Sequence, residues 1–188
     1  ITDLTSVAGG TEGSVQLSWT APKNENLVPM AGYEVRYATY AVLADLTTSW
    51  FNALPSSAVV INSVQAPGSV ETLTINALFP SSTFYFAVKS RDIANEISAV
   101  DMRADTPDLQ AFAKPLNLPP AAPAGPTLTA GLLQVAMTWP DLSTAGKGLD
   151  FQHYRIERST LAAFVPVTAV TTRTAANYVD RPLDAFTT

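Results

Sequence analysis

The chain of 188 residues has no cysteine, a single histidine, and charged side chains at only 14% of its positions. The absence of cysteine excludes disulfides, thiol nucleophiles and thiolate metal sites, and one histidine cannot supply a multi-histidine zinc site. Acidic residues outnumber basic ones by 16 to 11, so the net charge of -5 leaves no basic surplus to bind a phosphate backbone. We therefore expect no metal site and no nucleic-acid partner.

Long apolar runs and phosphate-binding loops are also missing. No stretch approaches the ~18 to 20 continuous apolar residues of a membrane helix, so we expect no membrane insertion in this segment. Glycine-rich phosphate loops and dinucleotide fingerprints do not occur, and the one glycine pair, Gly9-Gly10, lies in a predicted turn. The sequence therefore predicts no bound cofactor.

What the sequence does contain is a series of short runs in which apolar and polar residues alternate. In the first run, Val15, Leu17 and Trp19 are separated by Gln16 and Ser18, which places one row inward and the other in water. Further inward rows are Tyr33, Val35 and Tyr37; Leu73 and Ile75; Phe84, Phe86 and Val88; and Val100, Met102 and Ala104. Many short strands separated by turn-rich segments predict an all-β sandwich or barrel.

A proline-rich segment divides the chain. Residues 115–126 hold five prolines in twelve positions, and such a segment favours an extended, semi-rigid backbone outside a sheet. We predict a first domain over residues 1–108, a linker over 109–126 and a second domain over 127–188.

The second part repeats landmarks of the first. Trp139 follows Trp19 by 120 positions, and Tyr154 follows Tyr33 by 121. Two independent landmarks at nearly the same offset indicate a duplicated unit.

These landmarks resemble tandem fibronectin type III domains of the kind found in bacterial secreted proteins. The run Ser14–Trp19 is similar to strand B of that family, Tyr33–Tyr37 to strand C, and Leu78-Phe79-Pro80 to the approach to strand F. The residues that carry the resemblance are Trp19, Tyr33, Leu78 and Phe84 in the first unit and Trp139, Tyr154 and Leu183 in the second. The resemblance implies two immunoglobulin-like β-sandwiches in tandem, located outside the cell or at its surface.

Two departures from the family pattern stand out. Six positions after Leu78, where the family carries a tyrosine, this chain has Phe84 with Tyr85 beside it. Six positions after Leu183 lies one residue past Thr188, so we expect a second domain without strands F and G. Two hypotheses follow: the native polypeptide continues beyond Thr188, or a neighbouring subunit donates a strand by β-strand addition.

Candidate catalytic and metal-binding groups are few. His153 precedes Tyr154 on an outward position and has no nucleophile motif to serve, so we interpret it as a surface histidine. Asp101, Arg103 and Asp105 alternate on the predicted solvent face of a strand, with a cation between the two acids. Asp92, Asn95 and Glu96 lie in a predicted turn that lacks the dense acidic pattern of a calcium loop. We expect a protein that is not an enzyme.

The aromatic residues Tyr40, Trp50 and Phe51 have two interpretations. Exposed rings of this kind stack on sugars or anchor protein partners, which makes the three a candidate ligand contact. The segment Thr48–Ala53 also resembles the C' region of bacterial modules, in which the tryptophan packs on the sandwich. We favour packing.

The sequence thus predicts a non-catalytic spacer and protein-interaction module of a larger protein or assembly. Its expected partners are other domains of the same polypeptide or neighbouring subunits, one of which could donate a strand to the second domain. Two alternatives remain open: accessory domains of a secreted polysaccharide-degrading enzyme, or a carbohydrate-binding module.

Overall fold

The structure is a computed structural model that describes residues 1–23, 30–42, 47–54, 59–62, 65–100, 110–159, 161–163, 165, 167 and 169–183. Its internal contacts divide the chain into two compact units, Ile1–Leu118 and Pro119–Thr188.

The first unit contains two antiparallel sheets. Its strands are β1 (Thr5–Ala8), β2 (Val15–Thr20), β3 (Gly32–Ala38), β4 (Val59–Ile61), β5 (Val70–Ile75), β6 (Phe84–Arg91) and β7 (Phe112–Ala113). One sheet has the order β1-β2-β5 and the other the order β4-β3-β6-β7. This strand order is that of an immunoglobulin-like sandwich of the fibronectin type III kind.

The core of the first unit lies between the two sheets and follows the alternation in the sequence. Val15 and Leu17 on β2 have no exposed surface, while Gln16 between them is exposed. From the facing sheet, Phe86 and Val88 on β6 are also fully buried. Each such side chain contributes about 1.5 to 3 kcal/mol by leaving water, so β2 and β6 together form the centre of the core.

The first unit extends ten residues beyond its predicted end at residue 108. Strand β7 pairs with β6, with Phe84 opposite Ala113. Farther along, the backbone of Leu116 bonds to Gly13 and Ser14. The predicted linker over 109–126 is corrected for this reason: residues 110–118 belong to the first sandwich. Of the predicted strand around Val100, residues 101–105 lie outside the described residues.

The segment around Trp50 forms a helix, which corrects its assignment to the C' region. Helix α1 covers Thr47–Asn52, and the strand that pairs with the outer edge of β3 is β4, seven residues farther along. The sequence pattern could not show this, because six residues are too few to establish a helical period.

The second unit repeats part of this plan. Its elements are β8 (Thr127–Gly131), β9 (Gln134–Thr138), α2 (Thr144–Lys147), β10 (Tyr154–Arg158), β11 (Ala169–Arg173) and β12 (Asn177–Asp180). One sheet has the order β12-β9-β8, and β10 pairs with β11 in the other. The prediction of an all-β fold built from immunoglobulin-like sandwiches is confirmed. Within the described residues, β10 pairs with β11 on one edge and with no strand on the other.

Candidate interaction surface

The same pair of aromatic rings marks the centre of each unit. In the first, the rings of Trp19 and Tyr33 meet edge to face, with centroids 5.0 Å apart and planes at 76°. In the second, Trp139 and Tyr154 meet at 5.3 Å and 80°. In the first unit the pair joins strand β2 to β3. In the second unit it joins the residue that follows β9 to strand β10. Within each unit, the structure therefore brings together the two signature residues that indicated duplication.

The polar atoms of the first pair are enclosed. The indole nitrogen of Trp19 and the hydroxyl of Tyr33 are buried and have no hydrogen-bond partner among the described residues. Glu71 lies opposite Trp19 on β5 and is only 5% exposed. Burial, and then the negative charge of Glu71, raise the pKa of Tyr33 above its usual value. Sequence reasoning missed Glu71, although it shares the inward row of Leu73 and Ile75.

The tyrosine of the second pair is anchored differently. The Tyr154 hydroxyl donates to Asp141 Oδ1 at 2.6 Å and accepts from the backbone nitrogen of Leu142 at 3.0 Å. The other carboxylate oxygen of Asp141 binds Lys147 Nζ at 2.8 Å. The bonds from Lys147 and then from Tyr154 hold the pKa of Asp141 below its usual value. This network fixes the Tyr154 ring beside Trp139.

The remaining signature residues are Leu78, Leu183 and Phe84. Leu78 is buried, and its backbone nitrogen donates to Gly13 at 2.9 Å. Leu183 is half-buried and donates to Leu133 at the same distance. Phe84 is 8% exposed and packs its ring against Tyr37, so the position keeps its packing role without a hydroxyl.

A groove of about 190 Å³ runs beside the free edge of β10. It is lined by Pro123, Ala124, Pro126, Met137, Trp139, Tyr154, Arg155, Ile156 and Glu157. Successive side chains of a strand point to opposite faces, so a groove lined by residues 154–157 in succession follows the edge of the strand. We call this groove, with the free edge of β10, the β10 groove.

The floor of the β10 groove corresponds to the core of the first unit. Met137 on β9 and Trp139 directly after it form this floor, and both side chains are half-buried. Leu128 on β8 pairs with Met137 and so lies on the same face, where it is 60% exposed. In the first unit the equivalent face is covered by β6. This strand pairs with the whole length of β3.

One end of this inner face carries an ion pair. Arg158 follows Tyr154 and Ile156 on one face of β10, and its guanidinium binds Asp180 Oδ2 on β12 at 2.8 Å. Asp180 is 8% exposed and pairs with Val135, just as Ile75 pairs with Val15 in the first unit. A charged residue thus stands where the first unit has an apolar one.

The candidate ligand contact in the first unit is mostly enclosed. Trp50 is 6% exposed and Phe51 not at all, while Tyr40 remains 54% exposed. The Trp50 indole nitrogen donates to the Tyr40 carbonyl at 3.3 Å, and the two rings meet edge to face at 6.4 Å. A stacking platform of all three rings is therefore corrected: Phe51 has no surface to offer a ligand, and Tyr40 alone presents a ring.

Helix α1 packs Phe51 onto the outer face of the larger sheet. The Arg36 guanidinium and the Lys89 ammonium lie 4.5 Å and 4.6 Å from the centre of the Phe51 ring. Arg36 also donates to the Phe51 carbonyl and binds Glu34. Two cations on neighbouring strands therefore hold the helix in place. Beneath the helix, Trp50 and Phe51 pack with Ala38 and Ala87 in a second apolar cluster outside the main core.

The candidate catalytic and metal-binding residues do not assemble. His153 is exposed, and Asp101, Arg103 and Asp105 lie outside the described residues. Asp92 caps its own turn, since its Oδ1 accepts from the backbone nitrogens of Ala94 and Glu96. In the described ranges, no three histidine, aspartate or glutamate side chains gather in a way that could hold a metal ion. Neither of the helices in that part of the chain has the length and apolarity to span a bilayer.

Comparison with known proteins gives structural likenesses only. No protein-family model matches the chain, and no curated protein sequence matches it. An Fn3-like protein from Clostridium thermocellum is similar over 62% of this chain and 91% of its own, with 12% identity and a TM-score of 0.37. The FN1-FN3 domains of chicken contactin are similar over 97% of this chain, which spans 54% of their length, with 10% identity and a TM-score of 0.39. The assignment of the fold rests on the strand order and register given above.

Proposed function

We propose that the chain is a non-catalytic spacer and protein-interaction module of a larger extracellular or cell-surface assembly. In this proposal the first unit, whose core is closed, serves as the spacer. The second unit is the interaction site, and its ligand is a β-strand of a neighbouring subunit or domain. The extracellular location is inferred from the resemblance to modules of bacterial secreted proteins.

The β10 groove is the observation that carries this proposal. An unpaired strand edge presents backbone N–H and C=O groups in a row, and these groups accept a further strand readily. Within the described residues, no backbone hydrogen bond joins segment 119–126 to β10. Pro123 and Pro126, which line the groove, have no N–H to donate. Among the described residues, nothing therefore occupies the backbone of β10 on this edge, and an incoming strand can pair there.

The first unit shows what such a strand looks like. Strand β6 lies antiparallel to β3, with Val88 opposite Val35 and Phe86 opposite Tyr37. Its inward residues Phe84, Phe86 and Val88 are apolar and alternate with outward residues such as Tyr85 and Lys89. A peptide with this alternation is therefore the natural probe of the β10 groove.

A synthetic peptide with the sequence of residues 84–91 tests the proposal. Trp19 and Trp50 are 2% and 6% exposed, so iodide should quench mainly the half-buried Trp139. Bound peptide should protect this fluorescence from quenching and slow amide exchange in β10. A peptide of the same composition without the alternation is the control, and the Trp139→Phe variant should lose the quenching signal.

The proposal fails if neither peptide changes the quenching of Trp139 or the exchange of β10. It also fails if both peptides protect equally, since that would reflect apolar adsorption instead of strand pairing.

A further inference from the structure

Strand β10 has a sequence that complements itself when two copies run antiparallel. Ile156 lies at its centre, with Arg155 and Glu157 on either side. Arg155 and Glu157 point to the outer face, and Ile156 to the inner face with Tyr154. We propose that the free edge of β10 pairs with β10 of a second copy of the chain, antiparallel and centred on Ile156. This inference rests on the proposed role of the β10 groove and names its partner.

The outer face of such a pair is electrostatically complementary. Within one chain, Arg155 and Glu157 already form an ion pair of 2.6 Å, and their side chains are 66% and 32% exposed. In the antiparallel pair, Arg155 of each copy lies opposite Glu157 of the other. Residues opposite each other on paired strands have Cβ atoms about 4.5 to 5.5 Å apart, within reach of these side chains. The two-fold axis makes this favourable contact twice.

The charges also select the register. Moving the centre of the pair by one residue to Arg155 or to Glu157 places two arginines or two glutamates opposite each other, which is unfavourable. Pairing Ile156 with Arg155 or Glu157 instead would set the inner face of one copy beside the outer face of the other. Centring on Ile156 is the arrangement that avoids both.

The inner face favours the same arrangement. The two grooves then lie on one side of a continuous sheet, so Met137 and Trp139 of both copies share a single apolar floor. Ile156 meets Ile156 at the centre of that floor. At each end, Tyr154 falls opposite Arg158, whose guanidinium is held by Asp180. A charged residue at this end is compatible with a partner that presents an aromatic ring.

The test combines two charge-reversed variants of the whole chain. On the outer face of β10, Arg155→Glu leaves two glutamates, and Glu157→Arg leaves two arginines. In each homodimer, both cross-strand contacts become repulsive, so we expect the dimer dissociation constant to rise at least about tenfold. When the two variants are mixed, every cross-strand contact is attractive again. Sedimentation equilibrium should then show a heterodimer at concentrations at which each variant alone is monomeric.

The mixing step separates pairing between copies from effects within one strand. Each variant also loses the ion pair inside its own β10, and mixing does not restore that contact. Association on mixing therefore reports on the contact between copies alone. Lys114→Glu reverses a charge at an exposed position of the first unit and is the matched control. It should leave the dissociation constant unchanged.

Three results would overturn the inference. The first is a chain of natural sequence that stays monomeric up to its solubility limit. The second is a dimer insensitive to both reversals, and the third is a mixture that does not associate. If the chain is monomeric yet the strand peptide of residues 84–91 binds, the groove takes a different strand, and the proposed function stands without this partner.

Discussion

The two units differ in how far they cover the tryptophan of the same aromatic pair. Trp19 and Tyr33 are closed off from solvent in the first unit, whereas Trp139 is half-buried above the β10 groove in the second. The local geometry of the two pairs differs by only 0.3 Å and 4°, taken from centroid distances of 5.0 and 5.3 Å and plane angles of 76° and 80°. The first unit covers its pair with strand β6, and the described residues of the second unit contain no equivalent strand.

The difference lies in tertiary contacts, because the local sequences are alike. Strand β2 carries Val15 and Leu17, and β9 carries Val135 and Met137, in the same alternation with a tryptophan following. In the first unit β6 covers this row and leaves Val15 and Leu17 without exposed surface. The row in the second unit remains half-buried. Alternation therefore predicts which side of a strand is apolar and leaves open whether that side is covered.

The largest effect expected from this comparison is at the two tryptophans. Trp19→Ala should destabilise the first unit by about 4 kcal/mol, since it removes a fully enclosed side chain. Trp139→Ala should cost the second unit less than half as much, because part of its surface is already in water. Hydrogen exchange across a urea series, read separately in peptides of β2 and β9, measures both units in one chain. Equal losses at the two sites would contradict the comparison.

A second prediction concerns the helix that the first unit adds to its outer face. Phe51→Ala should destabilise this unit by about 3 kcal/mol, because the ring is fully buried between Arg36 and Lys89. Phe112→Ala is the matched control, since its ring is 57% exposed and should cost under about 1 kcal/mol. Urea denaturation followed by circular dichroism measures both. A small effect of Phe51→Ala would show that α1 is not part of the stable unit.

These cases also show which elements of the fold the sequence could predict. The alternating rows predicted the strands around Trp19, Tyr33 and Phe86, because one face of each strand meets a core. Packing of the segment around Trp50 and Phe51 was favoured, but its helix and the two cations over the Phe51 ring were not predicted. Those cations lie on strands distant in sequence, and α1 is too short for its period to be detected. Strand β7, with only two residues, carries no alternation, and the predicted end of the first domain was therefore too early.

The candidate site could be predicted only in part. The resemblance indicated that the second unit would have fewer strands, and the position of Tyr154 on strand C followed from the repeat. The ion pair between Arg158 and Asp180 could not be foreseen, because it joins residues on two sheets. The same holds for Glu71, a buried acid whose neighbours become clear only once β2 and β5 are paired.

A third prediction sharpens the comparison through the two tyrosines. Tyr33→Phe removes a buried hydroxyl that has no partner, so the stability of the first unit should stay the same or rise slightly. Tyr154→Phe removes bonds to Asp141 and to Leu142, and should destabilise the second unit by about 1.5 kcal/mol. Urea midpoints of the two units measure the effects. A loss of stability for Tyr33→Phe together with no loss for Tyr154→Phe would contradict this description of the two hydroxyl groups.

The smallest expected effect is a pH dependence confined to the second unit. The pKa of Asp141 is lowered in the folded state, first by Lys147 and then by Tyr154. Its contribution is therefore fully present above the usual pKa of the carboxyl group and is lost as the pH falls through the lowered value. Asp141→Asn should reduce the acid sensitivity of the second unit and leave that of the first unchanged. Identical pH profiles for the variant and the natural chain would rule out this role.

The most direct test of the contrast between a closed and an open unit is amide exchange in the two equivalent strands. Strand β3 pairs with β6 along its whole length and with β4 at Tyr33–Val35, whereas among the described residues β10 pairs with β11 alone. In the dilute, monomeric chain we predict strong protection throughout Tyr33–Val35. Along β10, the amides on the edge away from β11 should exchange quickly. Uniformly strong protection of β10 under these conditions would contradict the account.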